Sequence, residues 1–442
     1  MAKLELRNGR IVDPATGRDQ VGDILVQGDR IASIGASAGR AGAGNRGEPE
    51  VEVIDCMGLI VAPGLIDMHA HLREPGKEEE ETILSGARAA VAGGVTSVAC
   101  YPNTDPAIDN EGAAEFVVLQ GKRAGYANVF PVGAVTFNRE GKRLSEMAGL
   151  ARAGAVAFSD ADNAIESAEM MRRGLLYAKM FNKVVIAHCL DHTLRGSGVM
   201  NQGQVSLRLG LAGIPNAAED IVIGRDITLA QVTGSRLHIA HLSTAGSVDL
   251  LRQAKARGLA VTCEATPHHF TLTDECVASY DSNFKMIPPL RTANDLEALV
   301  SGLRDDTIDV IATGHAPHAT EEKAVEFAHA PFGVIGIETM LPIAYTELVL
   351  KHKLPLAKVI EKMTVNPARI LGLFAERGSL EPGKIADIVA FDIAKPRTID
   401  SSRFHSKSRN CPFEGREVLG TAVHVLVGGR VAVKGGAPQP PG

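Results

Sequence analysis

The sequence predicts a (β/α)8 TIM-type barrel with a small flanking β-sheet domain built from both termini. Three observations predict it. From Ala62 onward, short apolar strands alternate with helix-length amphipathic stretches, the pattern of a parallel sheet crossed by helices. About eight such strands fit into roughly 250 residues, the size of this barrel. On either side of that stretch, period-two segments separated by Gly, Asn and Asp read as antiparallel strands. No Gly-x-Gly-x-x-Gly follows the first strand, which disfavours a doubly wound dinucleotide fold.

In chain order, residues 1–60 are β-like. Lys3-Leu-Glu-Leu-Arg alternates and turns at Asn8-Gly9, and further strands start near Ile11, Asp23 and Arg30. Residues 36–50, rich in Gly, Ala and charge, read as a loop. Barrel strands are expected at Gly64–His71, Ser97–Tyr101, Val129–Thr136, Ala155–Ser159, Val184–His188, Leu237–Leu242, Ala260–Glu264 and Val310–Thr313. Helices are expected at Glu79–Ala92, Ser167–Phe181, Val248–Ala256, Asp295–Leu303 and Leu356–Met363. The later strands Ala386–Asp392, Thr421–Val427 and Gly429–Val433 would pair with the N-terminal ones. The division is 1–60 and 375–434 for the β domain and 61–374 for the barrel. The Gly/Pro-rich tail at 435–442 is expected to be disordered.

Composition narrows the function classes. With 442 residues and a net charge of −6, the chain can bury a large core and shows no basic patch for nucleic acid. No apolar run approaches the ~20 residues of a membrane span, and Met1-Ala-Lys-Leu-Glu-Leu-Arg lacks the apolar segment of a secretory signal. Six scattered cysteines form no Cys-x-x-Cys pair. A cytoplasmic location is expected.

The chemistry of this barrel belongs at the C-terminal strand ends. Strand one ends in Asp67-Met-His-Ala-His, which puts Asp67, His69 and His71 on one face. Strand two ends at Asn103, strand four at Ser159-Asp-Ala-Asp162, strand five at His188 and strand six at His241. Strand seven is followed by Glu264 and by His268 and His269, whose role stays open; strand eight ends in Gly314-His-Ala-Pro-His318. His69, His71, His188 and His241 converging from strands one, five and six point to a metal site, and imidazoles suit zinc. His238 faces away from His241 by strand alternation, while His192, His329, His352, His405 and His424 read as surface or structural.

These motifs carry a resemblance. Asp67-Met-His-Ala-His-Leu-Arg-Glu-Pro-Gly, Tyr101-Pro-Asn-Thr, Ile186-Ala-His-Cys, His238-Ile-Ala-His-Leu-Ser-Thr-Ala, Pro267-His-His-Phe-Thr-Leu-Thr, His315-Ala-Pro-His and Ala330-Pro-Phe-Gly-Val-Ile-Gly-Ile-Glu-Thr resemble class I dihydroorotases of the amidohydrolase superfamily. The likeness covers nearly the whole chain. It implies reversible cyclisation of N-carbamoyl-L-aspartate to dihydroorotate in pyrimidine biosynthesis, with zinc on His69, His71, His188 and His241. It further implies that Arg73 and Asn103 bind the substrate carboxylate, that His318 and the Phe332-Gly333 backbone hold the rest of the ring, and that the chain forms a homo-oligomer.

Three positions depart from the pattern the resemblance implies. Gly314 stands where the family has the metal-binding Asp that serves as general base and acid. Ala161 stands where an Asp bridges two metals, and Ile287 replaces an Asn that bonds the substrate ring. Two cations without a bridging anion repel, so the sequence favours one zinc over two and impaired catalysis. Asp160, Asp162, Glu264 and His315 are the nearby groups that could take over proton transfer, although alternation would turn Asp160 and Asp162 away. The second reading is a non-catalytic structural or regulatory partner of aspartate carbamoyltransferase. Hydantoinases and allantoinases carry a carboxylated lysine as bridge, and no lysine ends strand four here.

Overall fold

Eight parallel strands pair in chain order in the computed structural model, which describes residues 3–35 and 51–441. They are β1 (Leu65–Ala70), β2 (Val95–Cys100), β3 (Asn128–Gly133), β4 (Ala157–Phe158), β5 (Val184–Ala187), β6 (Leu237–Ile239), β7 (Val261–Ala265) and β8 (Val310–Ile311). Just beyond β8 the ring meets its start. Ala70 bridges His315, the His71 amide donates to the His315 carbonyl at 2.9 Å, and buried Asp67 accepts from the Thr313 amide at 3.0 Å. Asp67 is thereby spent on this seam. The loop expected at 36–50 lies outside the described residues.

A principal helix follows each strand: α1 (Ile83–Ala92), α2 (Glu111–Ala124), α3 (Met147–Arg152), α4 (Ala168–Lys179), α5 (Ala217–Thr233), α6 (Ala245–Ala256), α7 (Ala293–Arg304) and α8 (Leu356–Met363). Thr82, Asn110, Ser167, Thr244 and Thr292 each accept a first-turn amide and set where their helix begins. The cap at Thr82 corrects the expected start at Glu79. Glu80 and Glu81 precede the helix and turn inward, Glu80 to Arg73 at 2.7 Å and Glu81 toward His315. Alternation along the strands divides the core: Leu65 and Val98 pack against the helices, while Ile66, Met68 and Ala99 fill the barrel with Ile186 and Ala312.

The flanking sheet joins both ends of the chain where Leu59–Pro63 pairs antiparallel with Ile388–Asp392. Gly64 then passes directly into β1, and a Cβ there would stand 2.3 Å from Thr96 Oγ1, so only glycine lets the two sheets meet this closely. The Asp13 carboxylate accepts from the Ser379 hydroxyl and the Leu380 amide, both at 3.1 Å, and ties the termini a second time. The tail corrects the expectation of disorder. Gly435 and Gly436 both have positive φ and reverse the chain, so that Ala437–Pro438 pairs with Val433 and Lys434. No helix among the described residues is long and apolar enough to cross a membrane.

Residues 405–410 fasten the loops around the barrel mouth. The Ser408 hydroxyl donates to the Glu80 carbonyl at 2.7 Å, and Asn410 Nδ2 donates to the carbonyls of Ala316 and Gly333 at 3.0 and 3.1 Å. Beneath them half-buried Glu338 accepts the His405 and Ser406 amides at 2.8 and 3.1 Å. Burial pushes its carboxyl up to about 8. An unfolded Glu titrates near ~4.3. Between the two values the folded state keeps a proton that the unfolded chain releases, so stability falls as pH rises through that window. Glu338→Gln keeps an acceptor and removes the proton. Urea unfolding at pH 5 and pH 8 should show wild type losing at least about 1.4 kcal/mol more than the variant, the worth of a single pKa unit.

Candidate active site

The C-terminal ends of the strands open into a cavity of about 680 Å³ whose lining includes His69, His71, His188 and His241. The imidazoles stand in two pairs. His69 and His71 leave the end of β1, with ring centroids 5.5 Å apart. His188 follows β5 and His241 follows β6, with centroids 4.7 Å apart. Across the pairs, the ring centroids of His69 and His241 are 5.1 Å apart.

Each imidazole of the first pair is held from behind. His69 Nδ1 lies 2.5 Å from Glu264 Oε1. A carboxylate only accepts, so Nδ1 carries the proton and Nε2 is left as a lone pair for the cavity. Tyr101 stacks on the same ring at 4.1 Å. His71 Nδ1 likewise donates to Asn103 Oδ1 at 2.6 Å. In the second pair His188 Nδ1 and His241 Nε2 are 2.8 Å apart, a spacing that suits a shared proton or a shared ion. The outer nitrogens, His188 Nε2 and His241 Nδ1, are buried without a partner. Burial pulls His188 down to about 4 and His241 well below its usual value, which keeps both imidazoles neutral. Neutral imidazoles with oriented lone pairs are the donor set zinc prefers, so these residues fit a metal.

The remaining predicted residues line the same cavity. Arg73 is buried, its Nε 2.7 Å from Glu80 Oε2 and its Nη2 donating to the Pro317 carbonyl at 3.0 Å. His318 Nε2 donates to the Phe332 carbonyl at 2.9 Å. Burial, then the charge of Arg73, pulls His318 down to about 3. The Phe332-Gly333 backbone is more engaged than expected. The Gly333 amide donates to the Lys285 carbonyl, and its carbonyl accepts from Lys323 Nζ, both at 3.0 Å. Among the described residues one cluster gathers three ligand atoms within 4.8 Å, namely Glu80, His318 and Glu322. Arg73 and Lys77 already neutralise Glu80.

Four groups were candidates to replace the lost carboxylates, and the structure separates them. Glu264 is committed to His69 and to His238 Nε2, 3.2 Å away. Burial opposes its charge, but these two histidines outweigh burial and bring it down to about 2. His315 lies behind the seam, fully buried, 3.5 Å from Glu81. Asp160 faces β3 and accepts the Val135 and Thr136 amides, both at 2.9 Å, and the Thr136 hydroxyl. Asp162 lines the cavity, 3.0 Å from Arg139 Nη1. This corrects the alternation argument for Asp162: Ala161 has φ 55, so the strand is already broken there and parity no longer applies. His192 also lines the cavity rather than the outer surface, as do Lys77, Arg139 and Arg195. His268 lines it too, while His269 is occupied with Thr266 Oγ1 and the Pro288 carbonyl. Alternation gave no signal for the loop residues Lys77, Arg139 and Arg195.

Comparison with known proteins decides the family. Residues 58–247 match the family model described as dihydro-orotase-like, and residues 223–433 match that of the amidohydrolase family. The dihydroorotase of Pelotomaculum thermopropionicum is 51% identical over 432 residues, 98% of this chain and 99% of that protein. The chain belongs to the dihydroorotase family. The family's dihydroorotase from Geobacter metallireducens is 49% identical, again over 98% of this chain and 99% of that protein. Among solved structures, the L-hydantoinase (dihydropyrimidinase) of Arthrobacter aurescens superposes with a TM-score of 0.86 at 25% identity, covering 99% of this chain and 98% of that one. Within this dihydroorotase-family barrel, Gly314, Ala161 and Ile287 all line or adjoin the cavity.

The two aspartates that flank Ala161 should behave oppositely on substitution. Asp160→Ala strands two buried amides and a hydroxyl, and should cost about 2–3 kcal/mol in urea unfolding. Asp162→Asn, at a half-exposed side chain, should change stability by no more than about 0.5 kcal/mol.

Proposed function

We propose that this chain carries a dihydroorotase-type site, binding N-carbamoyl-L-aspartate and dihydroorotate, with impaired turnover. The observation that carries the reading is a mismatch within one cavity. Four imidazoles, Arg73, Asn103 and His318 line it, whereas the base position is Gly314 and the bridge position Ala161. Family membership implies a metal, and His69, His71, His188 and His241 would hold it, as one zinc rather than two. When bound, zinc supplies Lewis acidity and a water acidic enough to ionise near neutral pH.

The chain's own residues would do the rest. Arg73, fixed by Glu80 and the Pro317 carbonyl, presents a positioned guanidinium to a carboxylate. The Asn103 amide group, its oxygen taken by His71, offers its N–H donors beside it. Lys77, Arg139 and Arg195 add positive charge to the wall, against Asp105 and Asp162, which favours a dianion such as carbamoyl aspartate. His318 and the Phe332-Gly333 loop would border the ring, and Lys285 and Lys323 hold that loop in place. Gly314 has no group to take or return a proton. A missing general base costs about 10²–10⁴-fold. Identity near half to dihydroorotases, against a quarter to the L-hydantoinase, supports the dihydroorotate reading over a hydantoin substrate.

Zinc per chain and dihydroorotate hydrolysis, measured on one purified sample, test this. Zinc should be present, and turnover should lie about 10²–10⁴-fold below that of the Pelotomaculum dihydroorotase. Turnover equal to that relative, or absence of zinc, would overturn it. The doubly restored variant Gly314→Asp with Ala161→Asp should raise turnover by at least about 10²-fold. Position 314 has φ +59, a conformation that Asp tolerates, and its Cβ would meet Thr266 Cγ2 at 3.3 Å. The reading includes a homo-oligomer in the cytoplasm, where six unpaired cysteines are at home. If native turnover is nil, the role is that of a partner of aspartate carbamoyltransferase, and light scattering of the two chains together would detect the complex.

A further inference from the structure

The two imidazole pairs are neutral donors, so a carboxylate in the same cavity would offset the charge of a dication held there. We propose that Asp162 is that anion: an oxygen ligand of the metal centre, displaced by one residue along the chain from the bridge position now held by Ala161. This rests on the reading that the four histidines hold a metal.

The backbone makes the displacement possible. A regular strand would carry residue 161 to the cavity and turn 160 and 162 away. Here β4 ends at Phe158, and Ala161 takes the left-handed conformation at φ 55. The residue that follows this turn, Asp162, lines the same cavity as all four histidines. The two residues before it cannot do the same. Asp160 is consumed by three hydrogen bonds from Val135 and Thr136, and Ala161 has no polar atom.

Burial pushes the Asp162 carboxyl up, but Arg139, then His71, then His188 outweigh it and hold it below the usual range. His71 belongs to one imidazole pair and His188 to the other. Of Glu264, His315, Asp160 and Asp162, Asp162 alone lines the cavity of the four histidines.

Arg139 is the group Asp162 would have to leave or share. Its Nη1 donates to Asp162 Oδ1 at 3.0 Å and lies 3.4 Å from the Asp160 carbonyl, and Asn163 Nδ2 donates to the Arg139 carbonyl at 3.0 Å. The Asp162 side chain keeps 56% of its exposure, so the pair is a weak one in water. A dication competes well against one half-buried guanidinium for a carboxylate.

The test is zinc affinity by titration on the full chain, with the visible absorption of the cobalt-substituted protein as a second readout. Asp162→Asn should weaken zinc by about tenfold or more, at least the effect of removing an outer-shell partner, and should change the cobalt spectrum. Adding Ala161→Asp to that variant should restore both. Arg139→Gln, which frees the carboxylate, should leave zinc affinity unchanged or raise it. The proposal fails if Asp162→Asn keeps wild-type affinity and spectrum. It fails equally if Arg139→Gln weakens zinc as much as Asp162→Asn does, because the pair would then only brace the loop. A wild-type chain that takes up no zinc overturns the metal reading itself, and this proposal with it; wild-type binding with an indifferent Asp162→Asn overturns this proposal alone.

Discussion

The site hangs on one buried carboxylate. Glu264, on β7, receives His69 Nδ1 from the end of β1, His238 Nε2 from β6 and, at 3.3 Å, the backbone amide of His241. A buried anion is costly unless its oxygens are met by donors, and here three donors from two other strands meet them. The cost therefore becomes a constraint: strands one, six and seven can only close in the arrangement that satisfies Glu264. That arrangement fixes the tautomer of His69 and the plane of its ring, against which Tyr101 stacks at 4.1 Å. The backbone amide of His241 is pinned by the same carboxylate, and its side chain is what reaches His188. So His69 and His241 are placed by a carboxylate that does not line the cavity.

Much of this was legible because barrels write their chemistry at strand ends. The alternation of strands and helices from Ala62 gave the architecture, and all eight expected strands overlap those in the structure. The histidines stand out in the sequence because each closes an apolar run at a strand end. What stayed hidden has physical causes. A left-handed residue at Ala161 carries no sequence mark when it is not glycine, and it undid the parity rule for Asp162. The cap at Thr82 outcompeted the acidic run before it, so Glu80 and Glu81 became part of the barrel mouth instead of the first turn of α1. The longest helix, α5, was not visible as a stripe. It buries Glu219 and Asp226 beside Val222, Ile223 and Ile227 and exposes Ile221 and Val232, which blurs the apolar face. The C-terminal tail looked too rich in Gly and Pro to order, yet Gly435-Gly436 supplies the positive φ angles a tight hairpin requires.

The two missing carboxylates are separate deficits, and one replacement cannot cure both. Gly314 follows β8 and Ala161 follows β4, and in a ring of eight strands these are opposite walls. An anion on the β4 side, where Asp162 shares the cavity with the imidazoles, would offset the charge of a metal they hold. A base must instead stand where a proton leaves the attacking group and where it returns to the departing nitrogen, and general-base catalysis works only within hydrogen-bond reach of that proton. On the β8 wall the nearest groups are already engaged. His315 accepts the Gly336 amide behind the seam, His318 Nε2 donates to Phe332, and Thr313 is spent on Asp67. On the proposed function, the chain would keep the charge balance of a metal centre and a cationic wall suited to a dianion while lacking the proton carrier. Binding and turnover would then come apart on opposite sides of the same barrel, because the imidazoles that hold a metal stand apart from the β8 wall where the proton must move.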